Sequence, residues 1–366
     1  MRKFYSKAAL MVCATCMSVT AFAGNKDRSG QAGATQLLIN PWGQSTGMFG
    51  MNTSYVGGLD AMKTNIAGLA HSSKTEIGVS HSMYLSGSGI GINNLGFVQN
   101  LGNIGVIGAN IMSMSFGEIP ITDYDNPEGG IGTYNPQFFN ALVGYSKEFS
   151  KNIAVGAGVT FVSEQIPDAK ASGAVFEAGI QYVTGKEDNF HFGITLRNIG
   201  TGMKYSGSGF SVNSEAPEDG NYSLNRHVPS EQFEMPTYLN LGLSYDYYFD
   251  ANNPNPEDQQ SSEEYKPKHR GTIIANFTSN SFNNDYLGGA LEYAFKETFM
   301  LRAGYRHESK IGDQALSTTF YTGVCAGATI KFRVGETGPN LAIDYSFRST
   351  RRPANGVHVI TLRMMR

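Results

Sequence analysis

Only three cysteines occur in the 366 residues, Cys13, Cys16 and Cys325, and only one tryptophan, Trp42. Arg2, Lys3 and Lys7, the short apolar run from Ala8 to Thr20, and Ala21-Phe22-Ala23 read together as a secretory leader over residues 1–23. Cys13 and Cys16 fall inside it, so Cys325 stands alone and the exported part cannot close an intrachain disulfide. After Gly24 there is no run of about 18 apolar residues, which excludes a helical membrane span. A basic excess is missing as well. The formal net charge is −3, and removing the leader removes only positive charge. No nucleic-acid partner is expected, since one would require a basic stripe. Signatures of chemistry are equally scarce. No G-x-S-x-G elbow occurs, and His71-Ser72 and His81-Ser82 are adjacent pairs whose side chains leave a strand on opposite faces. No enzyme is therefore expected. The stretch from Asp123 to Gly130 offers the oxygen ligands that calcium favours but not EF-hand spacing, and reads as a solvated acidic loop. Neither a metal nor a cofactor is expected.

What the chain does have is 44 glycines, 19 tyrosines and 22 phenylalanines. It also has alternation. In Asn152 to Val162 the large apolar set Ile153, Val155, Val159 and Phe161 alternates with Ala154, Gly156, Gly158 and Thr160. Leu239, Leu241, Leu243 and Tyr245 oppose Asn240, Gly242 and Ser244; Leu341, Ile343, Tyr345 and Phe347 oppose Ala342, Asp344, Ser346 and Arg348. Successive strand side chains point to opposite faces, so each segment has one greasy face and one small or polar face. A soluble sandwich and a membrane barrel share this pattern. Two features favour the barrel. Tyr145, Tyr182, Tyr245, Tyr247, Tyr293 and Phe295 gather near strand ends, as interfacial aromatics do, and the opposite face mixes charge with glycine.

About fourteen strands can be counted, starting near Thr75, Ile90, Gly102, Phe138, Asn152, Ser172, Asn189, Thr237, Thr272, Tyr286, Phe299, Phe320, Leu341 and Val357. Short and long connections alternate between them, as in outer-membrane barrels with short periplasmic turns. The acidic, Pro-containing stretch from Phe249 to His269 breaks that rule; it reads as a disordered periplasmic loop or as a miscounted strand. In the hairpin at Lys296-Glu297-Thr298, pairing Phe295 with Phe299 sets Glu292 opposite Arg302 on the polar face, a lumenal charge pair. Glu177, Arg197, Asp246, Arg306 and Arg348 share that face. A barrel of this size is too wide for its own side chains to fill. Residues 24–74 are suited to plug it, with Leu37, Leu38, Trp42, Met48, Phe49, Leu59, Ile66 and Leu69 as an apolar set that a mobile tail would not need. The expected organisation is a leader over 1–23, a plug or hatch over 24–74 and an all-β transmembrane barrel over 75–366.

The stretch from Ala32 to Ala70, "AGATQLLINPWGQSTGMFGMNTSYVGGLDAMKTNIAGLA", resembles the N-terminal signature of the PorV/PorQ family of outer-membrane barrels, which are FadL-like in architecture. Asp60-Ala61 and Asn65-Ile66-Ala67-Gly68-Leu69-Ala70 match its "D-A…N-P-A-G-L-A" core, with Ile66 in place of the usual proline. The likeness continues through Asn126 to Phe138, Phe277 to Asp285 and Leu291 to Glu308. The C-terminal "LRMMR" departs from it, lacking the terminal aromatic residue that barrel assembly favours. The resemblance implies a fourteen-strand barrel with an N-terminal hatch formed around Trp42, Asp60, Asn65, Gly68 and Leu69. It implies a place in the outer membrane of a Gram-negative bacterium, of the Bacteroidetes. It further implies partners among outer-membrane lipid and the translocon, cargo or surface proteins of type IX secretion. The alternative is a FadL-like transporter of hydrophobic small molecules, which requires an apolar pocket beside the hatch and an opening in the wall. A structural membrane protein would have neither pocket nor stable partner.

Overall fold

The computed structural model describes residues 24–185, 187–215, 223–249, 268–335 and 337–366. The leader and positions 250–267 of the acidic stretch lie outside the described residues. Fourteen antiparallel strands close into one barrel: β1 (Thr75–Tyr84), β2 (Ile90–Asn100), β3 (Val106–Ser115), β4 (Gln137–Ser150), β5 (Ile153–Ile166), β6 (Ala169–Thr184) and β7 (Phe190–Gly200) form the first half. β8 (Tyr238–Tyr248), β9 (His269–Asn280), β10 (Tyr286–Phe295), β11 (Phe299–Glu308), β12 (Tyr321–Arg333), β13 (Asn340–Thr350) and β14 (Val357–Met365) form the second. Each strand pairs with its neighbours in sequence, and β1 closes on β14 from Glu76–Met365 to Met83–His358. Closure leaves no unpaired edge, as a lipid environment demands.

The alternation is inverted relative to a soluble protein. On β13 Ile343 and Tyr345 are exposed while Asp344 and Ser346 are fully buried. On β8 Leu243 and Tyr245 are exposed while Ser244 and Asp246 are buried. The outer wall is thus apolar around the ring, and water is not a solvent for such a surface. This is a transmembrane barrel, its greasy face toward acyl chains and its polar face enclosed. Tyr145, Tyr182, Tyr245, Tyr247 and Tyr293 are all exposed on that outer wall, near the short-turn end.

One strand begins later than its sequence suggests. β3 starts at Val106, because Gly102–Ile104 forms a 3-10 turn. Gly105 closes that turn with φ +125°, and a Cβ there would lie 2.7 Å from the Tyr145 hydroxyl. The opposite end carries the longer loops, with small ribbons pairing Ile119–Pro120 with Thr133–Tyr134, Met203–Lys204 with Gln232–Phe233, and Ser211–Glu215 with Ser223–His227.

The N-terminal residues lie inside the ring. They begin at the long-loop end, where the Gly24 N–H donates to Asp285 (2.7 Å) and the Gly33 N–H to the Glu234 carbonyl (3.0 Å). They leave at the short-turn end, where His71 Nδ1 stands 3.3 Å from Glu148. Between these points the chain makes only short helical pieces of four to six residues: Thr35–Leu38, Gly43–Thr46, Gly58–Lys63 and Ile66–His71.

Candidate functional site

The inner wall receives the lumenal segment through glycines. Register sets Gly78 opposite Gly96, Gly108 opposite Gly144, Gly144 opposite Gly158 and Gly193 opposite Gly242, so cradles form where two strands both lack side chains. Trp42 and Leu59, both fully buried, occupy the first. A Cβ on Gly96 would lie 2.6 Å from the Trp42 ring, and one on Gly78 would lie 2.6 Å from Leu59. Ile66, standing where the resembling family has proline, fills the Gly144/Gly158 cradle, where an added Cβ would come within 2.5 or 2.4 Å of its Cδ1. Leu69 is fully buried beside Gly108 and Gly144. Gly68 faces the segment itself: a Cβ there would sit 2.0 Å from the Val56 carbonyl oxygen.

Asn65 joins the segment to the wall. Its Nδ2 donates to the Thr53 carbonyl (2.9 Å) and to the Ile180 carbonyl on β6 (3.1 Å), and its Oδ1 caps the next turn at the Ala67 N–H (3.2 Å). Asp60 accepts from the Ser45 N–H (2.9 Å) and from Arg363 on β14 (3.5 Å). Burial raises the Asp60 pKa above the ordinary carboxylate value, and Arg363 opposes that rise.

Glu292 and Arg302 face each other across β10 and β11 and form an ion pair, both side chains almost wholly enclosed. They belong to a longer belt. His191 contacts Asp246 (3.1 Å), and Arg270 reaches both Asp246 (3.5 Å) and Glu292 (2.9 Å). Arg302 donates to Thr329 (2.6 Å), Thr329 donates to Asp344, and Arg363 grips Asp344 through two bonds of 2.8 Å. One connected set thus crosses the eight strands from β7 to β14 and ends on Asp60. Each buried charge in it has a partner of opposite sign, as enclosure requires.

Above the segment, toward the long-loop end, is a cavity of about 450 Å³. Segment residues Ile39, Phe49 and Lys63 line one side, and Phe116, Tyr238 and Tyr286 from the barrel line another. Regular strand pairing is interrupted beside it. Pairing of β11 with β12 stops at Tyr305–Val324, and the β12–β13 register jumps between Tyr321 and Cys325. Arg306 and Tyr321, on either side of that interruption, both line the cavity. Gly323 permits the irregularity with φ +93°; a Cβ there would meet the Arg306 carbonyl oxygen at 2.5 Å. Parity along β12 puts Tyr321 on the same face as Cys325, so its inward aim could be read from sequence. Lys63 and Phe49 could not, because the segment has no regular period. The acidic loop around Asp123–Asp125 is exposed, and no metal-binding cluster of His, Cys, Asp or Glu occurs among the described residues.

No family model and no curated protein matches the chain in sequence. Solved structures do match it in fold. The Pseudomonas putida toluene transporter TodX superposes with a TM-score of 0.53 at 13% identity, covering 89% of this chain and 97% of that one. The Ralstonia pickettii toluene transporter TbuX superposes with a TM-score of 0.51 at 12% identity, covering 89% and 99%. The fold is therefore that of FadL-like outer-membrane barrels.

Proposed function

We propose that this chain is an outer-membrane channel for hydrophobic small molecules, with residues 24–74 as its hatch. The observation that carries this reading is the aromatic-lined cavity lying against the segment at the point where strand pairing in the wall lapses. A channel for greasy molecules needs a place to hold them and a weak point in the wall near the bilayer, and a cavity and a lapse in strand pairing occur together here. The proteins of like fold are named as toluene transporters, which agrees. Type IX secretion, with its translocon and cargo partners, rests on the sequence resemblance alone, and no feature of the cavity or wall adds to it. The short helical pieces of the segment suit a body able to shift locally, since few of their backbone bonds are cooperative.

Binding can be measured directly. Naphthalene, which fluoresces, should bind the purified barrel in amphipol saturably and near one per chain. Filling the cavity with Met114→Trp should weaken that binding by about tenfold or more. Unsaturable partitioning, indifferent to Met114→Trp, would remove the cavity from any transport role.

A further inference from the structure

Three cations and no carboxylates line the cavity among the described residues: Lys63, Arg306 and Arg348. The other enclosed arginines are answered. Arg302 has Glu292, Arg363 has Asp344, Arg197 has Glu177, and Arg270 has three carboxylates. Arg348, only 6% exposed, and Arg306 are the exceptions, and the Nε of each is buried with no hydrogen-bond partner. What they touch instead is aromatic. Arg306 lies 4.4 Å from the Phe49 ring centroid and 4.3 Å from that of Tyr286; Arg348 lies 4.9 Å from that of Tyr321 and 5.6 Å from that of Phe49. Stacking uses the flat faces of a guanidinium and leaves its edge donors free. Among the described residues neither edge is met by a carboxylate within ion-pair distance; Glu308, buried on the same face of β11 as Arg306, is held instead by Thr318 and Asn284, which leaves the two edges able to take an anion from a ligand. The forked donors suit a carboxylate. The ligand's other end meets rings more than chains. Phe49 and Tyr321 pack edge to face, as do Phe116 and Phe138, so the cavity wall is built largely of rings against which a flat guest can pack.

We propose that the cavity selects a small aromatic carboxylate, its carboxylate held by Arg306 and Arg348 and its ring packed among Phe49, Tyr286 and Tyr321. The assignment rests on the channel reading above and names its substrate class. Equilibrium dialysis of the full-length barrel in amphipol against 2-naphthoate, naphthalene and dodecanoate tests both. The expected order is 2-naphthoate at least about tenfold tighter than either of the others. Arg348→Met and Arg306→Met should each weaken 2-naphthoate by about tenfold and leave naphthalene within about twofold. Arg348→Lys should recover part of the loss, and heat-modifiable migration on a denaturing gel shows which variants are folded. If naphthalene binds as tightly as 2-naphthoate to the wild type, the anion assignment falls while the channel reading stands. If dodecanoate equals 2-naphthoate, the aromatic part falls. If none of the three binds, both readings fall.

Discussion

Glu292 shows how a single lumenal side chain can be worth more than its pair. It accepts from Arg302 and, at 2.9 Å, from Arg270, with hardly any access to water. Glu292→Gln would leave Arg302 enclosed with the Thr329 hydroxyl and no carboxylate, and Arg270 with Asp246 and Glu297 alone. Breaking a buried pair from one side costs about 3–5 kcal/mol, so this variant should unfold at clearly lower urea in lipid vesicles. The double variant Glu292→Gln with Arg302→Met should recover part of that loss, because it removes a stranded charge as well as a contact. Recovery of nothing would mean the belt acts as a unit beyond this pair. Lys63 makes the opposite case. Burial, with Arg197 adding and Glu177 opposing, lowers its pKa from 10.5 to about 8. Between about pH 8 and 10.5 the unfolded chain holds a proton here that the folded chain has lost, so this residue's contribution to stability rises with pH across that window. The full effect is on the order of 3 kcal/mol. Comparison of wild type with Lys63→Met from pH 7 to 10 isolates it: the two unfolding curves should converge as pH rises, and parallel curves would refute a buried cation at this position.

At the scale of elements, the segment and the wall were unequally legible. Thirteen strand starts fall close to their sequence positions because lipid on one side and a polar lumen on the other enforce a period of two along each strand. The fourteenth, β3, was displaced by a turn held by Gly105 and Tyr145, a contact between elements that no local pattern announces. The Glu292–Arg302 register followed from hairpin geometry alone. The lumenal segment has no such period. Its apolar residues were visible, but their seats were not, since a cradle such as Gly144/Gly158 exists only once β4 and β5 are in register. The unpaired arginines were visible only as residues of the polar face; that they lack carboxylates is a property of the closed ring. The cradles make an element-level prediction. Gly96→Leu would drive a branched side chain into the Trp42 ring, where even a Cβ has 2.6 Å. Overpacking of this kind costs about 1–3 kcal/mol, and here the segment can relieve it by lifting away while the barrel stays closed. Tryptophan emission should therefore shift to the red without loss of heat-modifiable migration, and Trp42, the only tryptophan, makes that reading unambiguous. Unchanged emission would place Trp42 elsewhere.

For the whole molecule the question is what a fourteen-strand ring does with its interior. Eight strands enclose just enough room for their own side chains, and larger rings hold either water or a plug. In this chain the inner wall is lined with glycine along many strands, which would widen a channel if nothing replaced the missing side chains. Residues 24–73 do replace them, passing from Asp285 at the long-loop end to Glu148 at the short-turn end and burying Trp42, Leu59, Ile66 and Leu69 on the way. The ring does not need the segment to close, because the pairing that closes it runs from strand to strand, β1 with β14 included. Deletion of Gln31–Ser73 should then leave a folded barrel with a continuous aqueous lumen. In planar bilayers the wild type should show little conductance and the deletion variant a stable, several-fold larger one. A chain that cannot assemble without the segment would fail to insert, and heat-modifiable migration separates that outcome from a closed pore. Insertion with unchanged conductance would mean that the loops, not the segment, seal the ring, and the hatch assignment would fall with it.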